Sequence, residues 1–333
     1  MLTVPTFVRG ALRSLLGTFF LALAAGGLVV ADAAAQDFPT KRITLIVPYA
    51  PGGQGDFIGR ILSQNLSGRL GQPVVIEHRP SVTGNVGVAF GSKAVADGYT
   101  LTLISNQNLV SNLIEGQSSF SITRDLAPVS KIVEYYVMLL VKPSLAVKNI
   151  EELVALVKSK PGGVTLGSGG VGSSGHVAMG FITQKTGAQV LHVPYKGEGP
   201  LINALLGGEI DMAFITVSAS SALVKGGRLR ALAVSSSKRL QAFADLPTVG
   251  ETIPGFEYVS WFGMMVPPGT PRGRADMLQK EIATVLQMPE VSKTLGDRSF
   301  EVVGNTPDQF RQSMLSEAEV LAKVIKELGI KTD

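Results

Sequence analysis

Ile43-Thr44-Leu45-Ile46-Val47-Pro48-Tyr49-Ala50-Pro51-Gly52-Gly53-Gln54-Gly55-Asp56 decides the fold. Its first five residues are leucine or β-branched, the composition of a strand buried on both faces. A glycine-rich turn follows, and Asp56 is expected to open a helix. Beyond it Ile58, Ile61, Leu62, Leu66 and Leu70 recur at helical spacing, and Gly71 supplies the usual stop. Val74–Ile76 and Thr100–Ser105 read as the next two strands. Strand, helix and strand in this order imply parallel pairing through right-handed crossovers.

Working outward toward the C-terminus, the rhythm restarts after the apolar run Val137–Val141. Ile150–Ser159 reads as a helix and Val164–Leu166 as a strand. A second glycine-rich turn, Gly167–Gly175, leads into another helix. Val190–Val193, Met212–Thr216, Arg230–Ser235 and Phe262–Val266 read as further strands. Pro271–Leu286 and Pro307–Leu328 read as long helices, each beginning at a proline. Trp261 has apolar neighbours and reads as a packing residue. In the other direction, Arg9 and Arg13 precede the uncharged run Leu15–Val30, and Ala33-Ala34-Ala35 follows. That is the order of a secretory signal peptide cleaved near Ala35.

The expected organisation is therefore a leader, 1–35, and two Rossmann-like α/β lobes with a ligand cleft between them. The first lobe is discontinuous, 36–141 and 261–333, and the second is 142–260. Ligands in open α/β sheets bind at the carboxyl ends of the strands. The candidate site is accordingly Tyr49, Ala50, Gly52, Gly53 and Asp56 on one side, with Ser168, Gly172, Ser173, Ser174 and His176 on the other. Asp56 reads as a helix cap at least as well as a ligand contact. Neither turn contains Lys or Arg. Backbone N–H groups and helix N-termini are what such turns offer an anion.

Other chemistries find less support. Gly167-Ser168-Gly169-Gly170-Val171-Gly172 matches a dinucleotide fingerprint but lacks the acidic residue some twenty positions on. Gly172-Ser173-Ser174-Gly175-His176 departs from a nucleophile elbow at its last position. With no cysteine and three scattered histidines, a zinc site has no basis, and no cofactor is implied. The net charge of +4 is spread without a basic stripe, which argues against nucleic acid.

The same segments resemble the substrate-binding receptors of tripartite tricarboxylate transporters, the Bug family. The resemblance runs from about Phe38 to about Gly329. It is carried by Phe38-Pro39, Ile43–Gly53 with Asp56, Leu70-Gly71-Gln72-Pro73-Val74-Val75 and Asp97-Gly98-Tyr99-Thr100-Leu101. His192-Val193-Pro194-Tyr195-Lys196-Gly197, Leu229–Val234, Leu246-Pro247-Thr248-Val249 and Pro267-Pro268-Gly269-Thr270-Pro271 continue it. It implies a monomeric, non-catalytic periplasmic binding protein that takes a small organic acid and serves membrane transporter subunits. A sensor feeding a signalling system and, less readily, a secreted serine hydrolase are the alternatives. The resemblance also implies that the turn Tyr195–Gly197, with Lys196 as the nearest cation, and the strand end Thr216–Ser218 face the cleft. The sequence departs from the family at Glu77–Gly84, at Asn112-Leu113, and in the amide-rich Ser105–Asn108. Ser105 and Asn108 are thereby candidates for a second polar group on the ligand.

Overall fold

Ile43, Leu45, Ile46 and Val47 are completely buried, as a strand covered on both faces must be. The computed structural model describes residues 38–81, 83–116, 120–256 and 258–329, and the leader read over 1–35 lies outside them. From Lys41 onward the chain is one compact unit. Its first sheet runs, edge to edge, Phe300–Val302 (β11), Ala127–Tyr135 (β4), Ser260–Val266 (β10), Thr100–Ser105 (β3), Ile43–Val47 (β1) and Val74–His78 (β2). The second runs Leu191–Pro194 (β7), Thr165–Ser168 (β6), Met212–Thr216 (β8), Val137–Val141 (β5) and Arg230–Val234 (β9). The result is a two-lobed, periplasmic-binding-protein-like fold.

Both sheets are mixed, and the parallel pairing expected of the strand–helix–strand units is confined to part of each. β1 pairs in parallel with β2 and β3, and β6 with β7 and β8. β10 is antiparallel to β3 and β4, and β5 to β8 and β9. The reason is the double crossing between sheets. The chain leaves the first sheet along β4 and returns along β10, with Tyr135 opposite Ser260. A path out and a path back at one place must run in opposite directions.

Residues 137–141 were expected in the first lobe, yet β5 pairs only within the second sheet. Only Tyr136 separates β4 from β5, so the outward path is nearly continuous extended chain. An apolar run announces burial but not which sheet receives it. β4 and β11 went unread, because Ala127–Lys131 mixes proline, serine and lysine. Those polar groups are satisfied in place: Asn305 Oδ1 accepts from Lys131 N–H, and Ser130 donates to Asn305 O.

Helices connect the strands. Gln54–Leu70 (α1) buries Ile58, Leu62 and Leu66 at helical spacing and ends at Gly71 with φ 63°. Each such side chain contributes on the order of 1.5–3 kcal/mol when fully buried. Asn85–Ser92 (α2) and Asn106–Ile114 (α3) complete the N-terminal part. Ile122–Asp125 (α4), Ile150–Ser159 (α5) and Ser174–Thr186 (α6) come next, α6 following the second glycine-rich turn. Glu198–Gly207 (α7), Val217–Lys225 (α8) and Val249–Thr252 (α9) complete the second lobe. Arg272–Leu286 (α10), Pro289–Gly296 (α11) and Pro307–Leu328 (α12) follow the return, with Pro271 capping α10 rather than opening it. α12 touches β4, α3 and α6, so it braces both lobes. Its Phe310 meets Trp261 edge-on at 5.2 Å, which makes the tryptophan a packing residue.

Candidate functional site

A cavity of about 530 Å³ lies between the lobes. Its walls are strand ends and the helix starts that follow them. β1 leads to α1, β3 to α3, β6 to α6, β7 to α7 and β8 to α8, so five helices begin at the wall. The first N–H groups of a helix have no intrahelical acceptor. Each N-terminus also carries roughly half a positive charge. Together they make a region suited to an anion without a cationic side chain.

The first turn is tied down from behind. Asp56 Oδ2 accepts the Gly52 N–H at 2.8 Å and Arg60 Nε at 2.9 Å, while Oδ1 lies 3.1 Å from His78 Nε2. Burial works against ionising Asp56, but Gly52 N–H, Arg60 and His78 hold its carboxyl below the ordinary range. The carboxylate thus acts as a loop tie, and it lies outside the cavity lining. Tyr49 donates to Asn108 Oδ1 at 2.5 Å, and burial pushes its phenol up, so the donor proton stays. Gly55 lies flat on that ring. A Cβ there would sit 2.1 Å from Tyr49 Cδ2.

The second turn is shaped by histidine. His176 Nδ1 accepts the Gly172 N–H at 3.2 Å, and its ring stacks on His192 at 3.9 Å between centroids. Burial, then the neighbouring His192, brings His176 down to about 4. The neutral ring therefore carries its proton on Nε2. Ser168 engages His192 Nε2 at 2.6 Å and Gly170 O at 2.9 Å. Ser174 Oγ accepts from Ser260 Oγ at 2.8 Å across the lobes. Ser173, the residue preceding α6, is buried and lines the cavity, and among the described residues its hydroxyl has no partner.

Of the residues read from sequence, Tyr49, Ala50, Gly53, Ser105, Ser173, Ser174 and Thr216 meet at the cavity wall. The others lie behind or beside it. Gly52 is on the outer side of its turn and Asp56 beneath it. Asn108 is buried below Tyr49, its amide held by Thr83 O and its Oδ1 also accepting from Ser105 N–H. Ser168 and His176 face His192. Gly172 backs onto Val110 and Ile114 of α3, and Tyr195 borders Gly167. Ser218 stands beside Thr216, where Gln54 Nε2 reaches both hydroxyls from the other lobe, at 3.1 and 3.3 Å. Ser173 and Ser174 make no histidine contact among the described residues, so no nucleophile–base pair is built.

Several lining residues escaped the sequence reading. Gln54 hides among glycines, and Gln107 was passed over for Asn108. Glu198 lies one step beyond the turn Tyr195–Gly197, whose Lys196 and Gly197 line the cavity as the resemblance implies. Tyr135, Phe214 and Phe262 form an aromatic wall; Phe214 and Phe262 lie in stretches that read only as strands, and Tyr135 lies in one without a strand signal.

Two mixed α/β lobes around such a cleft define a solute-binding protein. Residues 58–330 match the model of the Tripartite tricarboxylate transporter family receptor, and the chain belongs to that family of binding receptors, which are not enzymes. It is 33% identical to Protein BugT of Bordetella pertussis over 306 residues, 91% of this chain and 94% of that one. Among solved structures it is similar to a periplasmic transporter, with TM-score 0.77 and 31% identity over 89% of this chain and 100% of the other. R. palustris Rpa4515, solved with adipate, superposes with TM-score 0.77 and 30% identity over 88% of this chain and 99% of the other.

Proposed function

We propose that this receptor works in the periplasm, where it captures a small organic carboxylate between its lobes and delivers it to a tripartite tricarboxylate-type membrane transporter. The observation that carries this reading is the Ser173 hydroxyl. It is buried and, among the described residues, without a partner, on the cavity wall where helix N-termini converge. A buried donor left empty costs on the order of 1–3 kcal/mol, which an incoming carboxylate oxygen recovers. The N–H groups opening α1 and α6 supply further donors from opposite lobes, so a carboxylate joins the lobes while it binds. The adipate bound to Rpa4515 supports a carboxylate for this cleft as well.

The test is a thermal-shift screen of the purified protein against mono-, di- and tricarboxylic acids. A cognate acid at about 100 times its Kd stabilises the fold by about 2.7 kcal/mol, a clear rise in Tm. A flat response across the acids, with a shift from neutral sugars instead, would overturn the reading. Uptake of the cognate acid should also be lost when the receptor gene is deleted.

A further inference from the structure

Glu198 is a carboxylate in a cleft built for an anion. An acidic residue opening a helix ordinarily serves its own helix dipole, yet Glu198 is turned elsewhere. Oε1 accepts the Thr216 N–H at 2.8 Å and Oε2 accepts the Thr216 hydroxyl at 2.8 Å. Both bonds come from the end of β8, so the carboxylate is held flat against the cavity wall that it lines. Among the described residues no Lys or Arg pairs with it, and Lys196, two positions earlier on the same wall, makes no bond to it. Burial pushes its carboxyl above the ordinary range, although the Thr216 bonds oppose this. A carboxylate in such surroundings is relieved by a cation.

We propose that Glu198 receives the protonated amine of the ligand, so that the acid this receptor takes is an amino acid. The inference rests on the reading of the cleft as a carboxylate site. One pole of the ligand meets the helix N-termini and Ser173, and the other meets Glu198. A plain dicarboxylate brings its second negative charge against Glu198 and is disfavoured by like-charge repulsion. Thr216 links this pole to closure. Its hydroxyl donates to Glu198 and accepts from Gln54 of the opposite lobe. An ammonium at Glu198 thus engages the end of a hydrogen-bond chain that spans the mouth.

The experiment is calorimetric titration with acids matched in carbon skeleton, with and without the amine. The pairs are glutamate and glutarate, aspartate and succinate, leucine and 4-methylpentanoate, phenylalanine and 3-phenylpropanoate. The expected result is a pair whose amino acid binds at least about tenfold tighter. Glu198→Gln, which keeps an acceptor for the Thr216 N–H, should erase that preference with Tm unchanged. If deaminated acids bind as tightly as their partners, or if E198Q keeps the preference, the proposal is overturned and the carboxylate reading stands. If no member of any pair binds the folded protein and no other carboxylic acid does, both fall.

Discussion

In the turn after β1, the Asp56 carboxylate folds back onto the Gly52 N–H with Arg60 and His78 alongside. In the turn after β6, the corresponding place is taken by a neutral His176 that accepts the Gly172 N–H. The first device is ionic and closes upon itself. The second depends on a stacked pair of rings and leaves the Ser173 hydroxyl free. Two stretches that look alike as glycine-rich strand–helix joints thus divide the labour. One keeps its shape whether or not the cleft is filled, and the other keeps a donor in reserve.

The largest expected effect comes from Gly175→Ala. A Cβ there would sit 2.6 Å from the Phe214 carbonyl oxygen, main chain that cannot step aside. Forcing α6 away from β8 should cost roughly 3 kcal/mol of stability. Chemical denaturation checks the loss, and calorimetry should find binding gone in the same variant.

Acid should separate the two devices next. Unfolded His176 takes up its proton near 6.5, the folded one only near about 4. Its contribution to stability is complete above the first value and is lost as pH falls toward the second, about 3 kcal/mol in all. His176→Gln should flatten that part of the denaturation profile. Asp56 follows the same sign at lower pH, because its folded carboxyl is depressed. Its stabilisation is full above the ordinary carboxylate range and lost as pH falls through the folded value.

Asp56→Ala should lower stability by about 2 kcal/mol, since the Gly52 N–H and the Arg60 guanidinium lose a charged partner. Affinity should fall with it, as the first turn loosens. Ser173→Ala is the smallest change and the sharpest contrast. Among the described residues its hydroxyl bonds nothing, so its removal relieves an unpaired buried group, and stability without ligand should hold or rise by about 1 kcal/mol. Affinity for the cognate acid should drop by about 2 kcal/mol. Equal losses of stability in both variants would show that the two turns are not specialised as described.

Sequence carried the reader to both turns, because a buried strand, a cluster of glycines and a helical repeat leave separate marks. It did not carry the direction of any side chain. Asp56 and Asn108 are polar and near the ligand loops, yet both are spent inside the protein. Gln54 and Glu198 are polar in the same degree and look into the cavity. Composition cannot tell these cases apart, since the difference lies in which neighbour reaches them across 59 or 162 positions of chain. The same limit applies to β5. Val137–Val141 is apolar enough for either sheet, and only the pairing with β8 and β9 places it.

The convergence of five helix starts has a consequence for how such a receptor changes over generations. Every residue except proline carries a main-chain N–H, so substitution in the wall replaces decoration and leaves the donors standing. Gln54, Gln107 and Glu198 can vary while the capacity to hold an acid persists. A lineage can therefore exchange one nutrient for another through a few wall residues, without passing through an intermediate that binds nothing.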